Sequence, residues 1–254
     1  MTATAVETSA LPAPRKGTYV FLAHARKTAH VYLTIDVDAG RIAAARRSSG
    51  GKLSYVSFVV KAAADVLAEH PDTQWMVRGG LRPKLSRIGR VHAKVLFDKT
   101  VAGQRCVVSA TVPDVANRSI LEVQDEIASY RDAEVGPEGP LRQAHLLGKL
   151  PLPLIHLLYR TALRIPAKRA ETQGTFSVTS VGQTAVRSIL PMISGTVGFG
   201  VGRAVDTPVV RDGDVRITPV LTLTLAFDHR VIDGALAADV LAAVAHRLET
   251  WEQA

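Results

Sequence analysis

The chain has 254 residues, one cysteine, and 31 Lys+Arg against 23 Asp+Glu, a formal charge of +8. With 47% hydrophobic and 21% charged residues it can build a globular core, which excludes disordered, collagen-like and disulfide-stapled chains. Cys106 alone can form neither an internal disulfide nor a cysteine-based zinc cluster, so no metal is expected and the implied compartment is reducing, hence cytoplasmic. Aromatic residues are 5% and the basic residues are dispersed, so no nucleic-acid partner is expected; the charge suits phosphorylated cofactors or an acidic carrier protein.

Residues 1–14 lack the apolar run of a signal peptide and read as a flexible leader. From Val31 to Asp38 apolar and polar residues alternate, the pattern of a half-buried strand. Gly50 and Gly51 break the chain before Ser54 to Glu69, where Val56, Val59, Val60, Ala63, Ala64 and Leu67 recur at helical spacing, and Pro71 ends the helix. Val91 to Phe97 and Arg105 to Val112 are rich in β-branched residues and flank Gly103, a predicted hairpin. Ser119 and Glu122 form a capping box that starts a helix reaching Asp132.

Beyond the turn-rich stretch from Gly136 to Pro140 comes LLGKLPLPLIHLLYRTALRIPAKR, Leu146 to Arg169. Pro151, Pro153, His156, Arg160 and Arg164 interrupt it too often for a membrane span. Its second half, Leu154 to Ile165, predicts a helix. An ordinary surface helix that buries its leucines in the protein's own core is preferred to a basic amphipathic helix resting on a membrane, a partner or an acyl chain. Two strands follow, Thr175 to Val181 and Thr196 to Val201, then a turn centred on Gly213. A long alternating strand runs from Leu221 to Asp228, and a final helix opens at Gly234 with Leu236, Val240, Leu241, Val244 and Leu248 on one face. Strands and helices mix without βαβ alternation, which predicts α+β.

The chemistry-bearing residues lie where the last strand meets the last helix: Asp228, His229, Arg230, Val231, Ile232, Asp233, Gly234. A histidine just past a buried strand sits on a rigid element and can still be reached, as a general base must be. Four residues on, Asp233 can fix the loop or the imidazole. Spacing gives no partner to His24, His92, His145 or His246. His30 and Cys106 read as structural, the latter as a small core residue.

The run LTLTLAFDHRVIDGALAADVL resembles the C-terminal signature of the dihydrolipoyl acyltransferases, the core subunits of 2-oxoacid dehydrogenase complexes. Their pattern, His-x-x-x-(Asp/Asn)-Gly after a long apolar strand, falls on His229, Asp233 and Gly234. Similarity continues in AHVYLTIDVD, KLSYVSFVVKAAADVL, GTFSVTSVG and FGVGR, together covering roughly residues 15 to 250. The resemblance implies the chloramphenicol acetyltransferase-like fold, a mixed sheet flanked by helices, with 15–254 as catalytic domain. It also implies a mechanism. His229 takes a thiol proton and the sulfur attacks an acyl carbonyl. Thr179, matched from Phe176, donates a hydrogen bond to the oxyanion, with Ser180 the weaker candidate. Asp233 orients the loop by pairing with an arginine, Arg15, Arg26 or another. A trimer follows from the same resemblance, with His229 of one subunit facing Thr179 of its neighbour.

Two departures from the family pattern shape the expected substrates. The short stretch before the first strand reads as too small for a lipoyl domain, so coenzyme A is the expected thiol, with a lipoyl group on a separate protein as the alternative. The acyl acceptor is then a small molecule or a carrier-protein thiol. The family's Gly-Leu-x-x-Pro-Val element is replaced around RCVVSATVPDV, and residues 141–169 read as a hydrophobic insertion through which 146–165 could meet a membrane. The rival reading is a non-catalytic trimeric assembly subunit that recruits partners through this insertion. Retention of His229 and Asp233 speaks against it.

Overall fold

The computed structural model describes residues 7–252. In chain order the elements are α1 (Lys16–Ala25), β1 (His30–Asp38), α2 (Gly40–Ser48), α3 (Tyr55–Glu69), β2 (Met76–Arg78), β3 (Lys84–Ser86), β4 (Ala93–Val101) and β5 (Gln104–Val112). There follow α4 (Ile120–Asp132), α5 (Arg142–Lys149), α6 (Leu152–Arg164), α7 (Pro166–Gln173), β6 (Phe176–Ser180), β7 (Val197–Val201), β8 (Val205–Arg211), β9 (Asp214–Asp228) and α8 (Gly234–Glu249). The predicted α+β architecture with a mixed sheet is what forms.

Strands β1-β9-β7-β6-β4-β5 lie side by side, with β8 paired to the outer half of β9, and β2 and β3 make a separate small hairpin. The pairs β4·β6 and β6·β7 are parallel and the others antiparallel. One face carries Val95, Phe97, Phe176, Val178, Val197, Phe199, Leu223, Leu225 and Phe227, packed in one core with Phe58 and Val60 of α3 and Val240, Val244 and Leu248 of α8. Two capping boxes start the helices on this side. Ser54 accepts from the Ser57 amide at 3.1 Å and Ser119 from the Glu122 amide at 3.3 Å, each satisfying an amide that the helix cannot. The β4–β5 hairpin closes through Ala102 and Gly103, both at positive φ, the two-residue turn that matches strand twist.

On the opposite face the register lines up Thr34, Thr224, Gly200 and Thr179 across four strands. Gly198, Gly200 and Gly202 alternate along β7 and just past it, and there the segment 186–193 lies against the sheet. A Cβ at Gly200 would meet the Ile189 carbonyl oxygen, and one at Gly202 the Arg187 carbonyl oxygen. The same face is closed further along by α1, whose Phe21 ring lies 4.8 Å from the ammonium of Lys94.

Two expectations change. Residues 1–6 of the expected leader lie outside the described residues, and a 3-10 turn at Ala13–Arg15 leads directly into α1. The 154–165 helix forms as α6, but Ile155 is its only buried residue, while Leu154, Leu157 and Leu158 are exposed. Its leucines are therefore not in the protein's own core. What seats α6 is α1: the Tyr159 ring lies tilted 4.9 Å from that of His24, and His156 lies 6.3 Å from Tyr19. Among the described residues no helix is long and apolar enough to cross a membrane.

Candidate active site

Strand β9 ends at Asp228, which is 2% exposed. Its amide donates to the Thr196 carbonyl at 2.9 Å, and the amides of Val231 and Ile232 return to its own carbonyl. A carboxylate so deeply buried needs a partner, and Arg230 supplies one. Its Nε and Nη2 reach the two carboxylate oxygens at 2.8 and 2.6 Å, and its amide adds a third contact at 3.2 Å. The bidentate geometry raises the Arg230 pKa through that hydrogen-bonded carboxylate and locks the turn on either side of His229.

His229 is thereby held rigidly without being buried. Its side chain is 45% exposed, its Nδ1 lies 3.5 Å from Asp233 Oδ1, and its ring meets Phe227 at 5.5 Å. Its amide donates to Ala29 just ahead of β1. With Nδ1 turned to the carboxylate, Nε2 is the nitrogen left to accept a proton. Asp233 occupies the N-cap of α8 without a side-chain cap bond, where its charge complements the helix dipole. Its side chain is 91% exposed. Neither Arg15 nor Arg26, nor any other described arginine, forms an ion pair with it. The arginine–aspartate pair at this turn joins Arg230 to Asp228, which sequence reasoning took only as the end of a strand. An i, i+2 pair across a tight turn leaves no periodic signal, although the adjacency of Asp228 and Arg230 to the histidine was visible.

Thr179 lies on β6, half-buried, beside Gly200 of β7. Its hydroxyl makes no hydrogen bond to any described residue and is free to donate. Ser180 is engaged, accepting from the Gly182 amide at 3.1 Å. Because β6 runs antiparallel to β9, Thr179 and His229 sit at opposite ends of the sheet, two strands apart across it and five residues apart along it. At ~4.8 Å per strand and ~3.3 Å per residue the separation is about 20 Å. A single chain therefore does not bring them to one acyl carbonyl.

The remaining histidines and the cysteine take structural places. His30 Nε2 lies 3.0 Å from both the amide and the carbonyl of Ile193, tying β1 to the segment before β7. Burial lowers the His92 pKa, and its Nδ1 accepts from the Asp114 amide at 3.4 Å. Cys106 packs with Val108 and Leu141, and burial raises its pKa. Among the described residues no group of three His, Cys, Asp or Glu side chains could hold a metal ion.

The model of the 2-oxoacid dehydrogenases acyltransferase (catalytic domain) family matches residues 4–146 and 160–254. The chain belongs to that family. The acyltransferase-family match leaves out 147–159, which contains most of α6. The acetyltransferase component of the pyruvate dehydrogenase complex of Bacillus subtilis is 26% identical over 239 residues, 89% of this chain and 46% of that protein. The chain thus spans about half the length of the curated relatives it matches. Among solved structures, the dihydrolipoamide acetyltransferase of Azotobacter vinelandii superposes with a TM-score of 0.72 at 21% identity, over 97% of this chain and 92% of that one. The cubic core of a pyruvate dehydrogenase multienzyme complex gives 0.68 at 20% identity, over 98% and 93%. At these identities the two structures show the family's fold.

Proposed function

We propose that this chain is an acyltransferase that moves an acyl group between a thiol, coenzyme A or a lipoyl or carrier-protein thiol, and an acceptor. The observation that carries this reading is the His229 turn. An imidazole is pinned by the buried Asp228–Arg230 pair, directed through Nδ1 at Asp233 and left accessible at Nε2, in a chain of an acyltransferase family. The Azotobacter enzyme has been studied for the role of one serine, one histidine and one asparagine in its catalytic mechanism, the last two spaced by four. His229 and Asp233 have that spacing, and Thr179 supplies a hydroxyl about fifty residues earlier, as the serine does there.

The residues fit a thiol and a thioester. His229 Nε2 accepts the proton of the attacking thiol, whose sulfur adds to the acyl carbonyl; when the tetrahedral intermediate collapses the donor's carbon–sulfur bond breaks and the imidazolium returns the proton to the departing thiolate. The Thr179 hydroxyl, with no partner of its own, donates to the acyl carbonyl oxygen as negative charge develops there. Asp233 steadies the imidazolium that results. Since one chain holds the two side chains about 20 Å apart, the reading requires a second subunit: His229 of one copy faces Thr179 of its neighbour, as in a trimer-based assembly. The relation to the cubic core of a multienzyme complex supports such an arrangement.

Release of free thiol from a panel of acyl-CoA thioesters, offered amine, alcohol and thiol acceptors, tests the reading. Turnover is expected in the native protein, none above background in His229→Ala, and a loss of about a hundredfold in Thr179→Ala, the usual effect of removing one oxyanion donor. Undiminished turnover in His229→Ala would sink the mechanism. A stable trimer that uses no thioester would hand the chain to the assembly-subunit reading.

A further inference from the structure

Helix α6 presents an apolar stripe to solvent. At 100° per residue Leu154 and Leu158 fall in one line with Leu157 beside them, and these three are 38%, 46% and 60% exposed respectively, with Ile165 just past the end of the helix at 48%. Arg160 and Arg164, one turn apart, run along one border of the stripe, and neither forms an ion pair with any described residue. Between Glu138 and Glu171 the sequence has six basic residues and no acidic one. On its other side α6 is seated against α1 through His156 and Tyr159, which leaves the stripe facing outward. Most of α6 is also the part of the chain that the family match leaves out, so the shared family core does not explain it.

We infer that α6 docks on an anionic lipid surface through this stripe, lying in the headgroup plane. The helix does not span a bilayer; it has the build of one that lies on it, with leucines on one side and arginine stems able to reach from the apolar boundary back to phosphate. Charge complementarity decides between occupants. A second copy docking by the same face would set cations against cations, whereas an anionic membrane surface attracts each of them. This inference stands apart from the acyl-transfer reading: docking needs neither His229 nor Thr179.

The test is co-sedimentation of the intact protein with vesicles of phosphatidylglycerol and phosphatidylcholine and with vesicles of phosphatidylcholine alone. Binding is expected to the first and not the second, and to weaken as salt rises. Arg160→Gln with Arg164→Gln should lower the partition coefficient about thirty-fold, from roughly 1 kcal/mol for each cation near the surface. Leu157→Asp with Leu158→Asp should abolish binding. All four side chains are exposed, so thermal melting and the native elution volume should not change. No binding to anionic vesicles overturns the inference, as does binding that the variants leave intact. Two further results overturn it in favour of another occupant. A leucine variant that shifts the oligomeric state puts a second copy on this face. Retention by an acidic carrier protein without vesicle binding puts a protein there instead.

Discussion

Lys94 sits where an ammonium is expensive. It lies on β4 between Thr111 and Ser177 in register, under Phe21, and burial lowers its pKa to about 8. The aromatic face offers partial compensation, but no described carboxylate or hydrogen-bond acceptor pairs with it. An unfolded chain keeps this proton to about pH 10.4, whereas the folded chain releases it from about pH 8 upward. Between those values the unfolded state binds more protons, so stability rises with pH across the window, and the full penalty is present below it. Lys94→Met should raise stability at pH 7 by on the order of 2 kcal/mol and flatten the rise between pH 8 and 10. Urea midpoints at pH 7 and 9.5 check both, and equal midpoints for the two proteins at pH 7 would refute the account. None of this was legible in the sequence, because Phe21 comes from a helix far upstream and only the fold lays it over the lysine. His229 and Asp233 could be read onto a strand-to-helix turn, since that turn is written in consecutive residues. The Asp228–Arg230 pair that holds it could not.

At the scale of elements, legibility followed local signals. Helix α4 announces itself by its capping box, and α3 and α8 by their apolar period; all three pack on the core face. Helix α1 has no side-chain cap and carries Gly17, Thr18 and Val20, and α2 opens on Gly40 with Ala39 at its N-cap, its first amide held by Asp38 instead; both depend on tertiary contacts that propensity does not foretell. For α6 the period correctly marks an apolar face, but a period cannot say what covers that face. The glycines of β7 are the reverse case, residues visible in sequence whose reason is tertiary. Gly200→Ala would drive a methyl into the Ile189 backbone, and the segment 186–193 would have to lift from the sheet, at about 3 kcal/mol. Gly17→Ala, with nothing within 4 Å of the new methyl, should cost nothing and serves as the control. Thermal melting of the pair decides, and an unaffected Gly200→Ala would mean that the segment is not seated on β7 as described.

For the molecule as a whole, the α+β class was legible from the order of strands and helices, and the mixed sheet with helices on its faces from the family resemblance. Which ends of that sheet its candidate residues occupy was not, because this depends on strand order and direction. The sheet puts Thr179 and His229 about 20 Å apart, at opposite ends of antiparallel strands, and so divides the proposed machinery between neighbours. Two defective proteins should then repair one another. His229→Ala retains its threonine and Thr179→Ala retains its histidine, so each is nearly silent alone. Dissociated, mixed in equal amounts and reassembled, they would form subunit boundaries at random, and one boundary in four would bring an intact histidine to an intact threonine. Thiol release by the mixture should recover to about a quarter of the native rate, well above the average of its two parents. A mixture no faster than that average would place both groups within one subunit's reach. Recovery would make the boundary between chains, rather than the chain, the catalytic unit.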